Sequence, residues 1–148
     1  MTLRLLLLLL TFSFGNSSVP PQKQEPVQQN DRPKISFTFD DGVTTDMPGY
    51  PFREWNAMLL QNLEKEGVKA VFFVTGKNKM DEKGKFLLKS WNDAGHSIGN
   101  HTFTHPSYGS DEVTFEMFRE EFLKTDEVIR PYSNYVKLFR FPYLKEGK

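Results

Sequence analysis

Downstream of position 34 the apolar residues of this chain alternate between two periods. Ile35, Phe37 and Phe39 alternate with Lys34, Ser36 and Thr38, a period of two that predicts a strand over 34–39 with Asp40 and Asp41 at its C-terminal tip. Gly42 follows as a turn residue, and 46–52 reads as an irregular loop. Trp55, Leu59, Leu60 and Leu63 recur at helical spacing, predicting a helix over 53–66 that Gly67 ends. The continuous apolar run over 68–74 predicts a strand covered on both faces. A second helix is expected over 82–93, burying Phe86, Leu87 and Trp91, and a short strand over 96–100. A third helix over 114–129 sets Phe115, Phe118, Phe122 and Ile129 on one side. A fourth strand is expected over 136–141. Strand and helix alternate throughout, which implies an α/β fold with a parallel sheet and right-handed crossovers.

Three polar clusters fall at the ends of these strands: Thr38-Phe39-Asp40-Asp41-Gly42, then His101-Thr102-Phe103-Thr104-His105-Pro106, then Arg140-Phe141-Pro142-Tyr143. In parallel α/β sheets ligands bind at the C-terminal strand ends, so the placement itself points to a site. Two carboxylates and two imidazoles suffice for three metal ligands and a free base, with one coordination position left for water. At a strand exit the backbone turns, and the adjacent Asp40 and Asp41 can then address one pocket. His101 and His105 lack the intervening Glu of the helical zinc-protease pattern, because Thr102 stands there. Arg140 can hold a carboxylate in a fixed orientation, and Pro142 restricts the backbone before Tyr143. His96 precedes its strand and is expected to be structural.

Before position 34 the picture differs. Arg4 and the leucine run over 5–10, ending near Ser13-Phe14-Gly15, read as a secretory signal peptide over 1–15. Residues 16–33, rich in Pro and Gln, read as a disordered linker. The chain is therefore expected to be exported to the periplasm, cell envelope or exterior, with no stable membrane span after signal cleavage. The cysteine count of zero excludes disulfides and a lipid-bearing cysteine. With 19 basic and 19 acidic residues well mixed, nothing suggests a nucleic-acid partner. Asn100-His101-Thr102 matches a glycosylation acceptor, but a glycan there would obstruct His101, so the match reads as accidental.

The three clusters, with Gly95-His96-Ser97-Ile98-Gly99 leading into the second, resemble the polysaccharide deacetylases, the family-four carbohydrate esterases or NodB-homology domain. The resemblance covers roughly 34–143. It implies a distorted (β/α) barrel, here apparently truncated after about four β/α units compared with the usual eight. It implies a divalent metal, most often zinc, on Asp41, His101 and His105, with Asp40 as general base. Arg140 would orient Asp40, and the Tyr143 amide would share the oxyanion. The implied activity is metal-dependent removal of N- or O-acetyl groups from chitin-like or peptidoglycan glycans. The family's general acid is a histidine in a late Leu-x-His motif, and no histidine follows His105 in this chain. A second late motif, whose Asp pairs with the arginine, is missing as well, and Leu144 stands where glycine is usual. Residues 34–148 are thus expected to be the N-terminal part of such a domain, either a fragment or a short product. An inactive secreted glycan- or metal-binding remnant is the alternative.

Overall fold

A computed structural model describes residues 34–146. The expected leader and linker lie outside the described residues. Four strands, β1 (Phe37–Asp41), β2 (Ala70–Val74), β3 (Ser97–Asn100) and β4 (Tyr135–Phe139), alternate with three helices, α1 (Phe52–Lys65), α2 (Glu82–Asp93) and α3 (Phe115–Ile129). All strand pairs are parallel and the sheet order is β1-β2-β3-β4. Neighbours in sequence are neighbours in the sheet, so crossovers of one hand place every helix on the same face. That is the winding of a barrel wall, not of a doubly wound sheet.

The register decides what each face carries. Phe39, Phe72, Ile98 and Tyr135 form one cross-sheet row, and Asp41, Val74, Asn100 and Phe139 the next. The first row packs with Leu87, Leu88, Trp91 and Ile129 in the hydrophobic core under the helices. Trp91 is its centre: it stacks on Phe72 at 4.3 Å and meets the edge of Phe39 at 5.2 Å. Its indole N–H donates to buried Asn56, whose amide donates to Ser90, so α1 and α2 are joined by a satisfied polar bridge. Thr38, Asp40, Phe73 and Gly99 alternate onto the opposite face. Gly99 is required there, because a Cβ would stand 2.9 Å from the Phe73 ring.

The structure departs from the expected boundaries in instructive places. β1 begins at Phe37 and continues through Asp41, so Asp40 and Asp41 are strand residues. Ile35 and Phe37 are exposed, because the helix-side core starts only at Phe39. α1 starts at Phe52, whose amide donates to the Asp46 carboxylate, and the preceding loop is tied by a Met47–Tyr50 bridge. β2 and β3 start later than expected, at Ala70 and Ser97, and β4 ends at Phe139, leaving Arg140 just beyond it. Phe115 is 61% exposed although it shares the helical spacing of Phe118, which is buried. It rims an apolar trough of about 300 Å³ with Phe118, Phe122, Phe139 and Phe141.

Candidate metal centre and catalytic cleft

The site residues reach one another because the backbone bends at each strand end. Among the described residues, five non-glycine positions have left-handed φ: Asp41 (64°), Thr102 (67°), His105 (64°), Tyr143 (59°) and Leu144 (55°). Such backbone costs of order 1–3 kcal/mol per residue and persists only where the surroundings over-determine it. Four of the five lie in the three polar clusters and Leu144 directly follows the third; three of them are residues singled out as ligands or catalytic groups. At Asp41 the turn is held by Thr75, whose amide and hydroxyl both donate to the Asp41 carbonyl at 3.2 and 3.1 Å. Gly42 completes it at φ 73°, where a Cβ would lie 2.6 Å from the Phe72 ring and 2.7 Å from Cε of Lys79.

This bend separates the two carboxylates. Asp41 Oδ1 lies 3.6 Å from His101 Nε2 and 3.4 Å from His105 Nε2. The three donor atoms all lie within 4.8 Å of one another, a group able to hold a metal ion. Bonds of about 2.05 Å at tetrahedral angles would put ligand atoms about 3.3 Å apart, so the spacing fits a small divalent cation. His101 is buried, and its Nδ1 lies 2.8 Å from the Arg140 carbonyl. A carbonyl only accepts, so Nδ1 donates to it and Nε2 is the ring nitrogen turned toward Asp41 and His105. The His105 ring stands edge-on to His101 at 4.9 Å and to Tyr143 at 4.6 Å.

Asp40 takes a different partner. Nη1 of Arg140 donates to Asp40 Oδ1 at 2.9 Å and to Thr38 Oγ1 at 2.8 Å. The guanidinium also lies over the Phe73 ring, 4.5 Å from its centroid, which fixes its plane. Strand alternation therefore gives Asp40 to the arginine and the left-handed turn gives Asp41 to the histidines. Tyr143 sits in a short turn that opens at Pro142; its ring is exposed apart from the face against His105.

All six residues singled out in the sequence are thus drawn to one end of the sheet, and His96 is not among them. His96 is buried against Trp91 beside the start of β2, where its Nδ1 accepts from the Ala70 amide at 3.2 Å. Burial, and secondarily Lys69, pushes its pKa below the ordinary 6.5. Asn100 is also buried: its amide donates to the Phe122 carbonyl, and its Oδ1 accepts from the Thr102 amide. A side chain so engaged is closed to glycosylation in the folded protein.

The sequence assigns no role to three supporting residues, although Thr38 stands in the first cluster. Thr38 shares Arg140 with Asp40, and Glu121 on α3 accepts from the loop between the two histidines. Lys79 lies behind the Asp41–Gly42 turn, 1% exposed, its ammonium without a hydrogen-bond partner among the described residues. Burial lowers its pKa to about 8, against the opposing pull of Asp41 and Asp81. Nothing in its sequence neighbourhood distinguishes Lys79 from the surface lysines beside it; only the close approach to Gly42 does.

The geometry can be set beside known proteins. The chain is 34% identical over 111 residues to a peptidoglycan-N-acetylglucosamine deacetylase of Bacillus cereus, covering 74% of this chain and 36% of that protein. It is 40% identical over 72 residues to a peptidoglycan-N-acetylmuramic acid deacetylase of Bacillus subtilis, covering 49% of this chain and 24% of that one. Among solved structures, a peptidoglycan N-acetylglucosamine deacetylase superposes with a TM-score of 0.61 at 32% identity, covering 76% of this chain and 48% of that chain. The chain spans half or less of the length of each of these proteins. The fold they share is the distorted α/β barrel of these esterases, of which four parallel strands and their helices are described here. The polysaccharide deacetylase family model matches residues 27–148, and with that match, the shared fold and the three clusters in place, the chain belongs to the polysaccharide deacetylase family.

Proposed function

We propose that this site hydrolyses acetyl groups from an acetylated glycan of the peptidoglycan or chitin type, with a divalent metal, zinc by preference. The observation that carries the reading is the spacing of Asp41, His101 and His105, with an arginine-held carboxylate beside them. One carboxylate oxygen and two imidazole nitrogens form a donor set that suits zinc. A cation held there supplies Lewis acidity and makes water a stronger acid near neutral pH.

The chain's own groups do the rest. Asp40 accepts the proton of the attacking water as general base, its bond to Arg140 aims the carboxylate, and that proton passes to the leaving amine or alcohol as the acetyl bond breaks. The Tyr143 amide, set by Pro142 and the left-handed turn, donates to the acetyl oxygen as that oxygen gains charge. His101 keeps its Nε2 lone pair in place through its bond to the Arg140 carbonyl. The named relatives are deacetylases of different sugars, N-acetylglucosamine in one and N-acetylmuramic acid in the other, and both sugars belong to the class proposed here. Export through the secretory pathway, read from the leader, would bring the chain to such polymers.

The test is acetate release from acetylated chito-oligosaccharide and from peptidoglycan fragments by the full chain, with zinc and with a chelator. Metal-dependent release that falls by about 10²- to 10⁴-fold in Asp40→Asn, with zinc binding retained, is the expected result. Release that survives chelation or the substitution contradicts it. The second reading is a site that binds metal and glycan without turnover. Stoichiometric zinc binding with no acetate from either glycan would establish that reading.

A further inference from the structure

The geometry points to Glu121, on α3, as the positioning residue for the loop that carries both histidines, an inference that rests on the metal-site reading above. One oxygen of its carboxylate, Oε2, accepts three hydrogen bonds: from the Phe103 amide at 3.0 Å, the Thr104 amide at 2.5 Å and the Thr104 hydroxyl at 3.0 Å. All three donors lie between His101 and His105. The carbonyls of the same loop face the other way, where Thr102 and Phe103 accept from the amides of Gly76 and Lys77 at 3.0 Å each. Donors are therefore held by α3 and acceptors by the turn after β2, and the loop is clamped from both sides.

The clamp matters because the loop is strained at both ends. Thr102 and His105 have φ of 67° and 64°. Thr102 is fixed independently, through the Asn100 carboxamide to its amide. His105 has no such bond from Asn100, and the nearest fixed point before it is Thr104, bound to Glu121 through both backbone and side chain. Charge-assisted bonds to a carboxylate are stronger than neutral ones, which suits a residue that must offset a left-handed backbone next door. Without Glu121 the amides of 103 and 104 turn to water, the backbone at His105 relaxes, and Nε2 leaves its 3.4 Å approach to Asp41. The remainder of the donor set is untouched, since His101 is held by Arg140 and Asp41 by Thr75.

Two readouts on the full chain test this: amide hydrogen exchange of 103–105, and zinc affinity by competition with a chromophoric chelator. Glu121→Ala should speed exchange at Phe103 and Thr104 while leaving β2 amides protected, and weaken zinc about 10- to 100-fold, the usual range for residues that orient ligands. Glu121→Gln keeps an acceptor oxygen and should recover most of both. A general loss of structure would instead raise exchange in β2 and would not be rescued by the amide. Wild-type exchange and wild-type zinc affinity in Glu121→Ala overturn the inference while leaving the metal site intact. Faster loop exchange in a protein that binds no zinc upholds the clamp and removes the metal reading. Should Glu121→Ala fail to fold, Thr104→Val deletes one of the three donors and leaves α3 unaltered. Severalfold weaker zinc binding then supports the clamp, and an unchanged affinity overturns it.

Discussion

Lys79 is the residue whose energetics stand furthest from the ordinary. Its ammonium is enclosed without a hydrogen-bond partner among the described residues, and burial holds its pKa at about 8 where an exposed lysine titrates at 10.5. Replacing a poorly compensated buried charge by an apolar side chain of like volume is often stabilising by about 1–4 kcal/mol. Lys79→Met is therefore expected to raise the urea midpoint by an amount at the lower end of that range, since Asp41 and Asp81 partly compensate the charge; a lower midpoint would show that the ammonium supports the turn. His96 makes a pH prediction of definite sign. Its folded pKa lies below 6.5, so between those values the unfolded chain binds more protons. Its contribution is complete above pH 6.5 and is lost as the pH falls from there through the folded value. Urea midpoints across this range should fall more steeply for the wild type than for His96→Gln; parallel curves would contradict the assignment.

At the scale of elements, strands deliver the chemistry and their packing tunes it. Gly99 on β3 leaves room for the Phe73 ring of β2, and that ring is the floor beneath the Arg140 guanidinium. Gly99→Ala should push Phe73 against Arg140 and loosen its hold on Asp40, lowering acetate release while zinc affinity stays near wild type. Equal losses in both would show that the strand pair had failed as a whole. The order of strands and helices was legible in the sequence, because burial on one face imposes the periods on Phe39, Phe72, Trp91 and Ile129. The ends were not. β1 runs on to Asp41 because parallel pairing with Phe73 and Val74 continues past the last apolar residue. Phe115 has the spacing of a core residue but rims an open trough. That six residues gather at one end of the sheet was legible, because three short motifs mark them. Glu121 and Lys79 act through contacts between distant segments, for which no local pattern exists, and Thr38, though inside the first motif, shows its role only in its bond to Arg140.

For the whole molecule, consecutive strand order with helices on one face leaves two edges, β1 and β4, unpaired among the described residues. Phe37 and Leu138 are each about half exposed along them. Unpaired edges flanked by apolar side chains are templates for association. In a polypeptide of these residues alone, light scattering should show self-association that rises with concentration and is reduced by Leu138→Lys; a monomer at all concentrations would contradict it. None of this bears on the candidate metal centre, which is built at the C-terminal ends of β1 and β3. The direct test of that centre is calorimetric titration of the full chain with zinc. The account predicts one ion bound per chain, with binding lost in Asp41→Ala and in His105→Ala and kept in Asp40→Ala. No binding by the wild type, or binding unaffected by the loss of Asp41 and His105, would contradict it.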